Sequence, residues 1–346
     1  MSFRYLFFFS FIISSPLIAQ DDYKQYLDLS YPEIDSLMYI EYGKGAFNKA
    51  IPLMMAGREK AKIEFGTQDS VFTEYTNNVG AFYQLAGQYT LALPFSIEVV
   101  EIQEKILGGE HPHFAISLNN LASLYLKIGD YDKALPLSIR AKNIRRKILG
   151  SEHPDFATSL NNLATLHNAM GNYDEALSLH VQAKNIREKT LGKNHPDFAS
   201  SLNNLADLQE RMGNYDQALP LFIQAKNIKE SVQGNQHPDF ASCLNNLASL
   251  YNKMGHYDQA LPLLIQAKDI IGHLLGEVHA DVAVALTNLA AVRTVMGDDD
   301  DALLFYNEAL KIVEKALGKE HYLFAVSLSN LGTLYETKGD YDQALP

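Results

Sequence analysis

The stretch His153 to Gly192, HPDFATSLNNLATLHNAMGNYDEALSLHVQAKNIREKTLG, decides the fold, because copies of it run the length of the chain. Its Gly171 recurs at Gly45, Gly87, Gly129, Gly213, Gly255, Gly297 and Gly339, each 42 residues from the next. A fixed period of this length marks a repeat array, in which each unit buries its apolar face only by stacking on its neighbours. At 346 residues the chain would otherwise suggest two globular domains, but the period overrides that expectation.

Within one copy the pattern predicts a helix, a tight turn and a longer helix. In the third copy Phe114, Leu118, Leu121, Ala122 and Tyr125 fall on one face of a helix A. Gly129 ends it. Asp130 is placed to cap a helix B whose Ala134, Leu137, Ala141, Ile144 and Ile148 alternate at threes and fours. Leu149-Gly150 closes helix B, and His153-Pro154 opens the next helix A, since proline at a first helical position needs no amide partner. The second copy has Asp69-Ser70 at that junction, the seventh His279-Ala280 and the eighth His321-Tyr322. A proline inside helix B at Pro52, Pro94, Pro136, Pro220, Pro262 and Pro346 is replaced by Ser178 and Leu304 in two copies, so it reads as tuning curvature.

The small and large residues Leu118, Leu121, Ala122, Tyr125, Gly129, Tyr131, Ala134 and Ala141 resemble the tetratricopeptide repeat. The repeat length and the phrases His-Pro-Asp-Phe-Ala, Leu-Asn-Asn-Leu-Ala and Gly-Asn-Tyr-Asp-Glu-Ala-Leu resemble its kinesin light chain subclass. The resemblance covers about residues 32 to 346 and implies an all-α, right-handed superhelical solenoid of seven helix pairs and a truncated eighth. The seventh copy departs from it, with Arg293 for the helix A tyrosine and Asp299 for the turn tyrosine. The first copy lacks the paired asparagines and reads as an N-terminal cap, preceded by a polar leader at residues 20–31.

The first 19 residues are of another kind. Arg4 is their only charge, Tyr5 to Ile13 is almost wholly apolar, and Ala19 is small enough to precede a cleavage site. This is the pattern of a secretory signal peptide, too short to span a bilayer, so the expected location is secreted or periplasmic. No other stretch is long and apolar enough to span.

One column is set apart from the packing stripe: Asn78, Asn120, Asn162, Asn204, Asn246, Asn288 and Asn330. Ile116, Asn120, Ser123 and Lys127 share a second face of helix A, so these asparagines point away from the stacked core. By the family resemblance that face is expected to line the concave groove, and in related superhelices an asparagine ladder there grips a peptide backbone. A carboxamide suits the task because it offers a donor and an acceptor together. Groove neighbours Thr158, Ser200, Ser242, Thr165, Asp207 and Ser249 are small and mostly neutral, which predicts little sequence selectivity. The bland alternative is that each asparagine bridges to the backbone of an adjacent helix; Asn77, Asn119, Asn161, Asn203 and Asn245, one residue earlier, are expected to do something of that sort.

A formal charge of −12 argues against nucleic acid, which needs a basic stripe, and Lys142, Arg145, Arg146 and Lys147 read as a solvated helix face. Cys243, the only cysteine, stands where other copies have Ser117, Ser159 and Ser201, and reads as a small packing residue. His111, His153, His195, His237, His279 and His321 lie one per junction, too far apart at ~8–10 Å per helix to share an ion that needs ligands at ~2 Å. Asp298 to Asp301 lacks the spacing of a calcium loop. No catalytic residues, cofactor or metal site are expected. The reading is an exported scaffold for protein or peptide partners. Two further expectations are self-association through an open C-terminal end and, from similar bacterial arrays, a place in a longer protein bearing a CHAT-type protease or a sensor kinase.

Overall fold

The computed structural model describes residues 22–319 and 321–344; the export segment expected at residues 1–19 lies outside them. A short 3-10 turn, Asp22–Tyr26, leads into sixteen α-helices among the described residues: α1 Tyr31–Gly43, α2 Phe47–Phe65, α3 Ser70–Leu85, α4 Tyr89–Leu107, α5 Pro112–Ile128, α6 Tyr131–Leu149, α7 Pro154–Ala169, α8 Tyr173–Leu191, α9 Pro196–Arg211, α10 Tyr215–Gln233, α11 Pro238–Lys253, α12 Tyr257–Leu275, α13 Ala280–Met296, α14 Asp299–Leu317, α15 Tyr322–Lys338 and α16 Tyr341–Ala344. Odd helices are the A helices and even ones the B helices. The fold is the expected all-α solenoid.

Helix boundaries fall where local chemistry puts them. Each junction histidine from His111 to His321 is an N-cap whose Nδ1 accepts the backbone N–H two residues on, as in His153 with Asp155 at 3.1 Å. Asp69 does the same for Val71, and Asp130 accepts from Lys133 N as expected. Gly129 closes α5 in the left-handed region at φ 86°, which a side chain would strain.

The core is columnar. Alanines on the B helices, among them Ala134, Ala141, Ala176, Ala183, Ala218 and Ala225, are fully buried and admit close helix approach. Phe114, Phe240 and Phe72 fill the space beside them at the start of the A helices. The A helices α5, α7, α9, α11 and α13 touch in sequence, whereas successive B helices stand farther apart. The array therefore curves with its A helices inside.

Three expectations need correction or sharpening. The leader is more than polar: Tyr23, Tyr26, Leu27 and Leu29 pack on the core, and Ser30 with Glu33 forms a capping box that starts α1. Arg145 is not solvated. It is buried, and its Nη1 donates to Asp155 O at 2.9 Å and Ser159 Oγ at 3.0 Å. Of the departures of the seventh copy, Arg293 is held by neighbouring carboxylates, pairing with Asp298 at 2.7 Å and approaching Asp301 at 3.6 Å, while Asp299 takes no part in the pair.

Candidate binding groove

The two asparagine columns separate as helical geometry requires, since adjacent residues lie ~100° apart around a helix. Asn119 and Asn161 are buried, and their Nδ2 groups donate to Ser159 Oγ and Ser201 Oγ of the next A helix, both at 3.2 Å. The bridge goes to a serine side chain, not to the backbone. Asn161 Oδ1 accepts from His180 Nδ1 at 2.9 Å, which uses its other end.

The ladder column faces the inside of the curve. Asn120 and Asn162 are exposed, and Asn78, Asn204, Asn246, Asn288 and Asn330 are half-buried. Among the described residues, six of the seven make no side-chain hydrogen bond. Asn246 is the exception, donating to Asn203 Oδ1 at 3.1 Å. Ile116, Ser123 and Lys127 are exposed on the same face, as the spacing implied.

Behind the groove a second polar column ties four B helices, α4, α6, α8 and α10, to the following A helix. Ser117 Oγ donates to Gln103 Oε1 at 2.7 Å. Ser159 and Ser201 instead accept from Arg145 and Arg187, and Arg187 also reaches Asp197 O and Thr158 Oγ1. Burial pushes both guanidinium groups below their usual range. In the next copy Cys243 replaces the serine and Lys229 the arginine, and the ammonium turns to Asp239 Oδ2 at 2.6 Å. A sulfur is a poor acceptor, so the partner changes with it. Burial pushes the Cys243 thiol up to about 11, consistent with a packing role. This column was missed as a set; the serine half was visible, but its cationic partner lies 14 residues earlier, on the helix before.

The groove is not uniform. Between α3 and α5 the bridge is absent: Asn77 is exposed, and two adjoining concavities of about 320 and 310 Å³ open there, sharing Asn77, Ser117 and Asn120. Ile106, Leu107 and Ile116 give the second an apolar wall.

Stacked helix pairs with an inner face of A helices define a helical-repeat binding scaffold. The chain belongs to the tetratricopeptide repeat family, which matches over residues 73–147, 113–189, 155–231, 197–271 and 281–346. Among solved structures it is similar to a Podosopora anserina protein described as a putative kinesin light chain with nearly identical TPR-like repeats, at 29% identity and TM-score 0.50, covering 60% of this chain and 98% of that one. A point variant of that protein gives 28% identity and TM-score 0.50, over 59% and 97% of the two chains. BtubC (BKLC) from P. vanneervenii shares the fold at 23% identity and TM-score 0.50, over 79% and 93%. No curated protein matches the chain.

Proposed function

We propose that this array is an exported, non-catalytic scaffold that holds an extended peptide or protein segment along its inner face, with Asn78, Asn120, Asn162, Asn204, Asn246, Asn288 and Asn330 as rungs. The observation that carries the reading is the contrast between columns. In the first column both ends of Asn161 and the Nδ2 of Asn119 are bonded between helices, although Asn77 and Asn245 are not, while six of seven in the second make no side-chain hydrogen bond and face the groove. Such a group pairs with a peptide bond whatever side chain the ligand carries. Each bond contributes only ~0.5–1.5 kcal/mol net, so affinity accumulates with the number of rungs. Neighbours such as Thr158, Ser200 and Thr165 are turned to their own helix, each hydroxyl donating to a carbonyl four residues back. Backbone pairing is thus favoured over side-chain readout.

The test is an array of immobilised random peptides probed with the wild-type protein and with the combined Asn120→Ala, Asn162→Ala, Asn204→Ala variant. Binding should fall by roughly an order of magnitude or more if each lost rung costs ~0.5–1.5 kcal/mol, with the helical CD signal and melting temperature preserved. Unchanged binding, or loss of the fold, rejects the ladder. Export is tested separately: secretion should yield a mature chain beginning at Gln20, read by N-terminal sequencing.

A further inference from the structure

Solenoid repeats ordinarily touch only their sequence neighbours. Here the A–B turns of the first two copies lie against the junctions of the last two. The Phe47 ring meets His279 edge-on at 6.0 Å, and Asn48 Nδ2 donates to Leu317 O at 3.4 Å. Tyr89 lies beside Tyr322, and burial together with that neighbour raises its phenol above the usual range. A Cβ added at Gly45 would stand 3.0 Å from His279 Cδ2, and one at Gly87 would fall inside contact distance of the His321 ring. Stepping one copy along at both ends carries the first pair into the second, so the contact follows the screw of the superhelix.

Other copies of the same residues serve as an internal control. The His279 side chain is 8% exposed, against 40% for His153 and for His195. Phe47 is 5% exposed, against 39% for Tyr173 in the same place in the fourth copy. At Gly129, Gly171, Gly213 and Gly255 a Cβ would meet open space.

The covered turns differ in sequence from most of the uncovered ones. Uncovered turns read Asp-Tyr-Asp at 130–132, Asn-Tyr-Asp at 172–174 and 214–216, His-Tyr-Asp at 256–258 and, departing from these, Asp-Asp-Asp at 298–300. The covered ones read Ala46-Phe47-Asn48 and Gln88-Tyr89-Thr90. Phenylalanine removes a hydroxyl that burial would leave in need of a partner. Asparagine supplies the donor that the Leu317 carbonyl accepts, where a carboxylate would repel it, and Gln88 Nε2 donates to Asn48 Oδ1 at 3.1 Å, fixing the amide's orientation. In the fifth copy the matching seat is an open concavity that includes Tyr215 and Asp216.

We propose that this contact is a built clasp, an interaction surface within the chain by which the turns of copies one and two hold the junctions of copies seven and eight and fix the curvature of the groove. Resting on the groove reading, a ligand that fits only a wider curvature has to open the clasp, whereas one fitting the closed curvature is favoured by it.

The test gives the first copy the turn of the fourth and fifth: Ala46→Asn, Phe47→Tyr and Asn48→Asp together. Spin labels at Gln68→Cys and Lys315→Cys in a Cys243→Ser background report the distance between the two ends by pulsed dipolar spectroscopy. Without the graft one narrow distance is expected; with it, a longer distribution about twofold or more in width, at unchanged helical CD. The reverse graft in the fifth copy, Asn214→Ala, Tyr215→Phe and Asp216→Asn, should leave the distance unmoved. If the triple graft costs helicity, Asn48→Asp alone gives the same readout from a single rim position. A broad distribution in the ungrafted protein, or a grafted one indistinguishable from it, overturns the clasp. Neither outcome bears on the asparagine ladder, which the peptide array tests by itself.

Discussion

Asn161 donates to Ser201 Oγ at 3.2 Å across a copy boundary, and its own carbonyl accepts from buried His180. Asn162, the next residue, is exposed and makes no such bond. The two should therefore respond differently to truncation. Asn161→Ala leaves the buried His180 imidazole without its partner and takes one of two donors from Ser201 Oγ, which keeps Arg187, and should cost ~1–3 kcal/mol in urea unfolding. Asn162→Ala should stay within ~0.5 kcal/mol, as surface changes do. Equal costs would place both asparagines in the packing and remove the ladder's main support.

Arg187 and Lys229 occupy one column yet choose different acceptors, Ser201 Oγ and the Asp239 carboxylate. The choice should be transferable. Ser201→Cys alone leaves Arg187 short of an acceptor and should cost ~1–2 kcal/mol. Adding Arg187→Lys should recover part of that, because the ammonium then reaches Asp197 as Lys229 reaches Asp239. A double-mutant cycle reads the coupling; below ~0.5 kcal/mol the two positions act independently.

What was legible in the sequence was what one repeat determines by itself. His153-Pro154 and Gly171 mark helix ends through local backbone chemistry, and the alternating threes and fours place Asn162 on its own face. Arg145 was misread because a charge on a helix reads as solvated unless its acceptors are known, and Ser159 and Asp155 O come from the next helix. The meeting of Phe47 with His279 was invisible for a different reason. It depends on small rotations accumulated over the intervening copies, and no local signal carries that sum. Its trace in the sequence, Ala-Phe-Asn where other turns read Asn-Tyr-Asp, acquires meaning only once the contact is seen.

Gly171 and Gly87 close equivalent turns at φ 80° and 70°. Alanine at Gly171 meets nothing within 4 Å, so its cost should be the backbone strain alone, ~1–2 kcal/mol. Alanine at Gly87 adds a collision with His321. Gly87→Ala should be the more destabilising of the two in urea unfolding and should also lengthen the distance between labels at 68 and 315, which Gly171→Ala should not. Matching effects would show that His321 moves aside without consequence.

His180 gives the array a dependence on pH. Burial pushes its imidazole down to about 4, with Asp207 opposing weakly, and its Nδ1 is held by Asn161. A histidine whose folded pKa lies below its unfolded value of ~6.5 favours the native state in its neutral form. That contribution is fully present above ~6.5 and is lost as pH falls from there towards 4, where the unfolded chain takes up the proton first. A shift of this size corresponds to at most roughly 3 kcal/mol. Burial also lowers His279 and His321 in the clasp, so acid should weaken that contact in the same direction. The equivalent of His180 in the next copy is Phe222, fully packed and without charge. His180→Phe should therefore flatten the fall in urea-unfolding stability between pH 7 and pH 4 by ~1–3 kcal/mol, the range set by that shift, while the label distance continues to lengthen in acid. If the pH dependence survives the substitution intact, His180 is not its source, and the clasp histidines become the groups to replace.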